Sequence, residues 1–236
     1  MFKYKLYEDV NISTYLKWLI LSFSAGSINA GGYLCCYHFV SHITGFYTVA
    51  GIALKHDSFL KFLSILTIPI FFLLGVMISA LLTEKKKKDK DKLKYPLILC
   101  LVGILLTTVA FAGFFNFFGH FGETLNLRHD YLLLALLCMA CGLQNAAITS
   151  SSGSTIRTTH LTGITTDLGI GIIRSEIHPE SLQQQKIERK VNLFRFFSII
   201  AFTLGSVVGA FFFVQFEYLG FLMPAFISFY FAWANS

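Results

Sequence analysis

The chain has 236 residues, of which 55% are hydrophobic, 16% aromatic and 14% charged, and it carries a net charge of +6 with a mean hydropathy of +0.64. That balance excludes a soluble globular domain, which would leave too much apolar surface in water, and apolar runs of about 18 residues or more place the chain in the polytopic membrane class. The basic excess does not call for a nucleic acid, because most of it sits in short loops beside apolar runs, where orientation in the membrane accounts for it.

Residues 1–13 are polar, and a first span is predicted at 15–36, with Tyr15 and Trp18 at the membrane interface. The run is longer than the hydrophobic region of a cleaved signal peptide and is expected to stay in the membrane. Its second half is small: Ala25, Gly26, Ser27, Ala30, Gly31 and Gly32 form a surface on which another backbone can approach. A moderately apolar segment, 37–55, ends at Lys55, His56 and Asp57. A second span is predicted at 59–82, kinked by Pro69. A charged run at 84–94 separates it from a third, 95–118, opened by Tyr95 and Pro96. After a polar loop come a fourth span at 131–148, a Ser/Thr/Gly-rich stretch leading into a second motif segment (149–173 together), and a partly basic linker at 174–190. Two further spans are predicted at 193–214 and 218–233. Cys35, Cys36, Cys100, Cys138 and Cys141 form an odd set in or beside apolar runs. They are read as packing residues, and no disulfide framework, metal or cofactor is expected.

One short pattern occurs twice. Gly26, Asn29 and Ala30 precede Ser41-His42-Ile43-Thr44-Gly45; Gly142, Asn145 and Ala146 precede Thr159-His160-Leu161-Thr162-Gly163. His160 follows His42 by 118 residues, half the chain, and at that offset Thr44, Gly45, Thr48, Gly51 and Ile52 match Thr162, Gly163, Thr166, Gly169 and Ile170. This is the mark of an internal duplication, with repeats 1–118 and 119–236.

The distribution of basic residues chooses a topology. If every segment crosses the membrane, the lysine-rich run at 85–94 falls on the opposite side from most other basic residues. If the two motif segments instead enter and turn back, 15 basic residues face the cytoplasm and 3 face outward, with Arg157 left inside the second motif segment. The predicted fold is therefore an all-α membrane protein of six transmembrane helices plus two re-entrant half-helices, with both termini cytoplasmic. Three crossings per half make it an inverted internal repeat, and the motif segments approach the midplane from opposite faces.

Re-entrant backbone must be enclosed by protein or line a cavity. The poor helix formers from Thr149 to Thr155 suit an unwound descent, and Ser41 and Thr159 are placed to cap the returning half-helices. The two positive helix ends then face the centre and favour an anion or an oriented polar solute. Arg157 adds positive charge there, while Asp167, seven residues after His160, is a candidate partner or protonation site. The candidate pathway residues are Asn29, Ser41, His42, Thr44, Gln144, Asn145, Arg157, Thr159, His160, Thr162 and Asp167. Gly26, Ala30, Gly45, Gly142, Ala146 and Gly163 are assigned to helix packing. Plainer roles stand beside these: a neutral imidazole bonded to a carbonyl for His42 and His160, an interhelical amide bond for Asn29 and Asn145, and snorkelling for Arg157.

The run Gly142-Leu143-Gln144-Asn145-Ala146-Ala147-Ile148, followed by Ile156-Arg157-Thr158-Thr159-His160-Leu161-Thr162-Gly163 and Thr166-Asp167-Leu168-Gly169, resembles the second signature of the YoaK family of bacterial membrane proteins. Phe39-Val40-Ser41-His42-Ile43-Thr44-Gly45 resembles its first. The resemblance implies a six-span bacterial inner-membrane protein. Members of that family usually carry aspartate where Asn29 stands and asparagine where Phe46 stands.

The expected function is a channel or secondary transporter for a small polar or anionic solute. Two other readings remain open at this stage: an intramembrane enzyme using His42, His160 and Asp167, and a structural or assembly subunit. No H-E-x-x-H or G-x-S-x-G pattern is present, so no catalytic residue is assigned. The expected partners are the lipid bilayer, the solute and a second copy of the chain in a homo-oligomer, with no nucleic acid.

Overall fold

The computed structural model describes residues 12–56, 58–83, 95–123, 127–151, 161–177 and 181–234. Among them are eight α-helices: α1 Ile12–Cys36, α2 Ile43–His56, α3 Phe59–Thr83, α4 Tyr95–Phe114, α5 Leu127–Ser151, α6 Leu161–Glu176, α7 Leu182–Phe216 and α8 Leu222–Ala234. A 3-10 turn, Glu217–Phe221, joins the last two. Five stretches are long and apolar enough to cross a membrane: α1, α3, α4, Asp130–Ser151 of α5, and Leu182–Ala234, which runs through α7, the 3-10 turn and α8. The protein has an all-α, multi-spanning membrane fold.

Several hydroxyl side chains inside the spans bond back to their own helix, where an apolar solvent offers no other partner. Ser22, Thr83, Thr107, Thr203 and Ser228 each donate to a carbonyl four residues earlier. The same chemistry corrects one expectation. Thr149–Ser151, read as the start of an unwound descent, continue α5: Thr149 Oγ1 donates to the carbonyl of Asn145 and Ser151 Oγ to that of Ile148. Residues 152–160 lie outside the described residues.

Other boundaries also move. α3 runs through Pro69 without a break. α4 stops at Phe114, four residues short of the expected end, where Asn116 takes a left-handed conformation (φ 63°). The linker expected at 174–190 is mostly helix: α6 reaches Glu176, and α7 starts at Leu182 after Ser181, whose hydroxyl accepts from the Gln184 amide as an N-cap.

Two glycine crossings hold the bundle together. Where α1 meets α7, a Cβ on Gly26 would collide with the Phe202 carbonyl and one on Gly205 with the Phe23 carbonyl. Where α3 meets α5, Gly75 faces the Met139 carbonyl and Gly142 the Phe72 carbonyl in the same reciprocal way. Each crossing brings two backbones to a separation that only glycine permits.

Contacts along these pairs fix the helix directions. Trp18 meets Phe194 near one end of the α1–α7 pair and Gly31 meets Phe213 near the other, so the two run parallel. Thr67 bonds Tyr131 and Gly75 meets Met139, so α3 and α5 also run parallel. Gln144 donates to the Leu21 carbonyl and Cys138 to that of Val40, so α5 runs opposite to α1. Gly103 lies against Phe229 and Gly113 against Tyr218, so α8 runs opposite to α4. Trp18 and Leu21 of α1, Leu99 of α4, Ile148 of α5, Phe194 of α7 and Phe231 of α8 form one cluster at one end. Phe118, Phe121, Phe213 and Tyr218 pack at the opposite end, where the Gly122 amide donates to the Cys35 carbonyl. Thus α1, α4 and α7 point one way and α3, α5 and α8 the other. α2 packs on α3, and α6 on α7.

Candidate functional site

The first motif follows a left-handed stop. Tyr37, at φ 56°, ends α1, and its hydroxyl donates to the Gly122 carbonyl. The chain then runs without helix to His42, turning through the hydrogen bond from the His42 amide to the Phe39 carbonyl, and α2 begins at Ile43. Ser41 does not cap α2 as expected. Its hydroxyl and its backbone amide both donate to Asn29 Oδ1, at 2.9 and 3.3 Å, so the α1 side chain pins the descending segment. One acceptor oxygen meets both donors that buried Ser41 presents.

His42 and Thr44 are exposed, and His42 Nε2 lies 2.9 Å from Thr44 Oγ1. A Cβ on Gly45 would stand 3.2 Å from His42 Nδ1, so the missing methyl group gives the imidazole its resting place over the first turn of α2. Thr48 Oγ1 donates to the Thr44 carbonyl, and Thr166 Oγ1 to the Thr162 carbonyl, the same bond in both copies of the pattern.

Across from this turn lies the start of α6. Asn29, Phe39, Ser41, His42, Ile43 and Thr44 line one wall of a cavity of about 460 Å³, and Leu161, Thr162, Gly163 and Phe202 complete it. Phe202 is the α7 residue at the Gly26 crossing, near the middle of α1, which places the cavity at mid-depth in the bundle. The first residues of α2 and α6, helices of 14 and 16 residues, both belong to its lining. The first described turns of two helices therefore border one space, and the polar side chains they bring to it are Thr44 and Thr162.

Of the residues singled out in the sequence, Asn29, Ser41, His42, Thr44, Thr162 and Gly163 come together here. Arg157, Thr159 and His160 lie outside the described residues. Gln144 and Asn145 are buried but do not line the cavity: Gln144 spends its amide on the Leu21 carbonyl, and Asn145 Oδ1 has no hydrogen-bond partner among the described residues. Asp167 is exposed and also stands away from the lining, its carbonyl accepting from Arg195. Gly26 and Gly142 make the crossings, and Ala30 and Ala146 flank them. Gly163, assigned to packing, has nothing within 4 Å of where its Cβ would stand. Phe202 was not anticipated, and its signal is its place opposite Gly26, which needs the partner helix to be read.

All five cysteines are free, and both Cys35 and Cys36 donate to the Gly32 carbonyl. Among the described residues no group of three or more His, Cys, Asp or Glu side chains is placed to hold a metal ion.

The profile of DUF1275, described as a protein of unknown function, matches residues 18–234. No curated protein and no solved structure matches the chain.

Proposed function

We propose, for a chain that belongs to the DUF1275 family of proteins of unknown function, that it is a channel or secondary transporter for a small polar or anionic solute in the bacterial inner membrane. The observation that carries this reading is the mid-depth cavity where the first described turns of α2 and α6 meet, lined by Asn29, Ser41, His42, Thr44 and Thr162. Ser41 with Asn29 and His42 with Thr44 already bond each other, and the donors and acceptors that these bonds leave over are what a solute in that space would meet.

The topology behind it has six crossings and two returning half-helices, with both termini cytoplasmic. Helix direction supports it: α1 and α3 run oppositely with α2 as the one helix between them among the described residues, and α5 and α7 run oppositely with α6 likewise between them. The chain then leaves and re-enters each pair on one side. Supporting an inverted repeat with halves 1–118 and 119–236, the pairings survive exchange of the halves. The α1–α7 crossing becomes the α5–α3 crossing, α2 on α3 becomes α6 on α7, and α4 with α8 maps onto itself.

Purified protein in liposomes tests the function, with nitrate, formate, urea and glycerol as probes. We expect flux of at least one of them above that of empty liposomes, and its loss when His42 and His160 are both changed to alanine. Indistinguishable flux for every probe would sink the reading.

A further inference from the structure

His42 and Phe39 border a second space. A smaller cavity, about 150 Å³, is lined by Tyr37, His38, Gly45, Phe46 and Val49 together with the same two rings. The two cavities thus share a wall made of one imidazole and one phenyl group. That wall is held in place from several sides. His42 is bonded to Thr44 and seated on Gly45, where a Cβ would crowd it. Phe39 meets His42 edge-on at 6.5 Å and is stacked on Tyr33 at 4.7 Å. His38 accompanies it in the smaller cavity, stacked on Phe46 at 5.7 Å, with Nδ1 donating to the Cys36 carbonyl at 2.9 Å. That tautomer leaves Nε2 as an acceptor, and it is buried without a hydrogen-bond partner among the described residues.

We propose that the His42 imidazole is the partition between the central cavity and an outer station at His38, and that solute exchanging with the face bearing Tyr37 passes it by displacing the ring from Gly45. The inference rests on the transport reading and adds to it the residue that governs passage and the side of the molecule on which it acts. His42 is suited to the part because one side-chain hydrogen bond to an exposed threonine and an edge-on contact with Phe39 hold it over Gly45, and both are cheap to give up. Phe46 behind it is only 2% exposed and stays in the core. The outer station offers an acceptor at His38, whereas the central cavity offers the hydroxyls of Thr44 and Thr162. The pair therefore favours a small solute with an N–H or O–H group as well as an acceptor over a simple inorganic anion.

The test uses thiol labelling in the full-length chain with Cys100→Ser, the other cysteines being buried. Thr162→Cys marks the central cavity. Its labelling by the impermeant methanethiosulfonates ethylsulfonate and ethyltrimethylammonium is timed in sealed vesicles of either orientation. From the Tyr37 face we expect His42→Ala to speed labelling about tenfold, and Val49→Trp, which fills the outer station from its far wall, to slow it by a similar factor. Labelling from the opposite face should be unchanged by either substitution. Equal rates in all three backgrounds from the Tyr37 face overturn the partition while leaving the transport reading standing. No labelling of Thr162→Cys from either face overturns the water-filled cavity, and the transport reading with it. Val49→Trp does not touch His42's bond to Thr44, so the proposal stays testable if His42→Ala fails to fold.

Discussion

Glycine has two opposite meanings in this chain, and a methyl group separates them. Gly26 and Gly142 face backbone carbonyls that cannot withdraw, so Gly26→Ala or Gly142→Ala is expected to cost about 1–3 kcal/mol. Gly51 and Gly169 lie in α2 and α6 with open space around the missing Cβ, so alanine there should gain about 0.5–1 kcal/mol. Denaturant titration in detergent measures both, and a penalty at Gly51 equal to that at Gly26 would contradict the packing described. Asn29 gives a second contrast. Asn29→Ala strands the amide and hydroxyl of Ser41 and should cost about 1–3 kcal/mol, whereas Asn29→Asp keeps an acceptor oxygen and should keep most of the stability. The bond to Ser41 asks only for an oxygen, which is why the two substitutions should differ. From sequence, the spacing of Gly26 and Ala30 identified a crossing but not its partner. Reciprocity between Gly26 and Gly205 depends on two helices about 180 residues apart in the chain, and no local pattern carries that.

At the level of elements, α6 is fastened to α7 by a polar junction. Arg189 binds Glu176 through two hydrogen bonds, at 2.8 and 2.7 Å, and Gln185 donates to the Ser175 carbonyl. Gly171 lets Asn192 approach α6, and Arg195 donates from α7 to the Asp167 carbonyl. The hydrogen bonds from Arg189 hold the Glu176 carboxyl below the usual glutamate range despite some desolvation. A carboxyl whose folded pKa is depressed stabilises the fold above its unfolded pKa, and the contribution is lost as pH falls through the folded value. We therefore expect the Glu176 titration, followed by side-chain NMR, to have its midpoint below that of a free glutamate and to move back up in Arg189→Ala. Both partners are exposed, so the global stability of that variant should change little. The sequence read 174–190 as a linker because its residues are polar. Polarity reports contact with water, not loss of helix, and Ser181 with its bond to the Gln184 amide was the signal for where α7 begins. Helix existence was legible from the length of the apolar runs. Helix ends were not, because side-chain hydroxyls such as those of Thr149 and Ser151 can extend a helix as readily as end it.

For the molecule as a whole, the proposed topology draws on two independent arguments, the lysine count and the helix directions. One concerns charge outside the membrane and the other contacts within it. Cysteines placed at Glu123 and Ser181, both exposed, should label from opposite faces of sealed vesicles, Glu123 from outside and Ser181 from the cytoplasm. Labelling of both from one face would require an odd number of crossings to be lost or gained between them. The half of the site built by the first motif was legible as a set of residues, since Asn29, Ser41, His42 and Thr44 do line one space. Asn145 shares the repeated pattern with Asn29 yet is buried away from the cavity, because a matching residue type does not fix the direction in which the side chain is used.

The reciprocal glycine contacts interlock the two halves. α1 finds its mate in α7, and α3 finds its mate in α5, so neither crossing can close while only the first half of the chain has emerged from the ribosome. Until α5 arrives, the notch at Gly75 must be filled by lipid or by a chaperone, and until α7 arrives, so must the notch at Gly26. A gene cut between Glu123 and Leu127 should therefore yield two fragments that are each degraded when made alone and survive together when co-expressed.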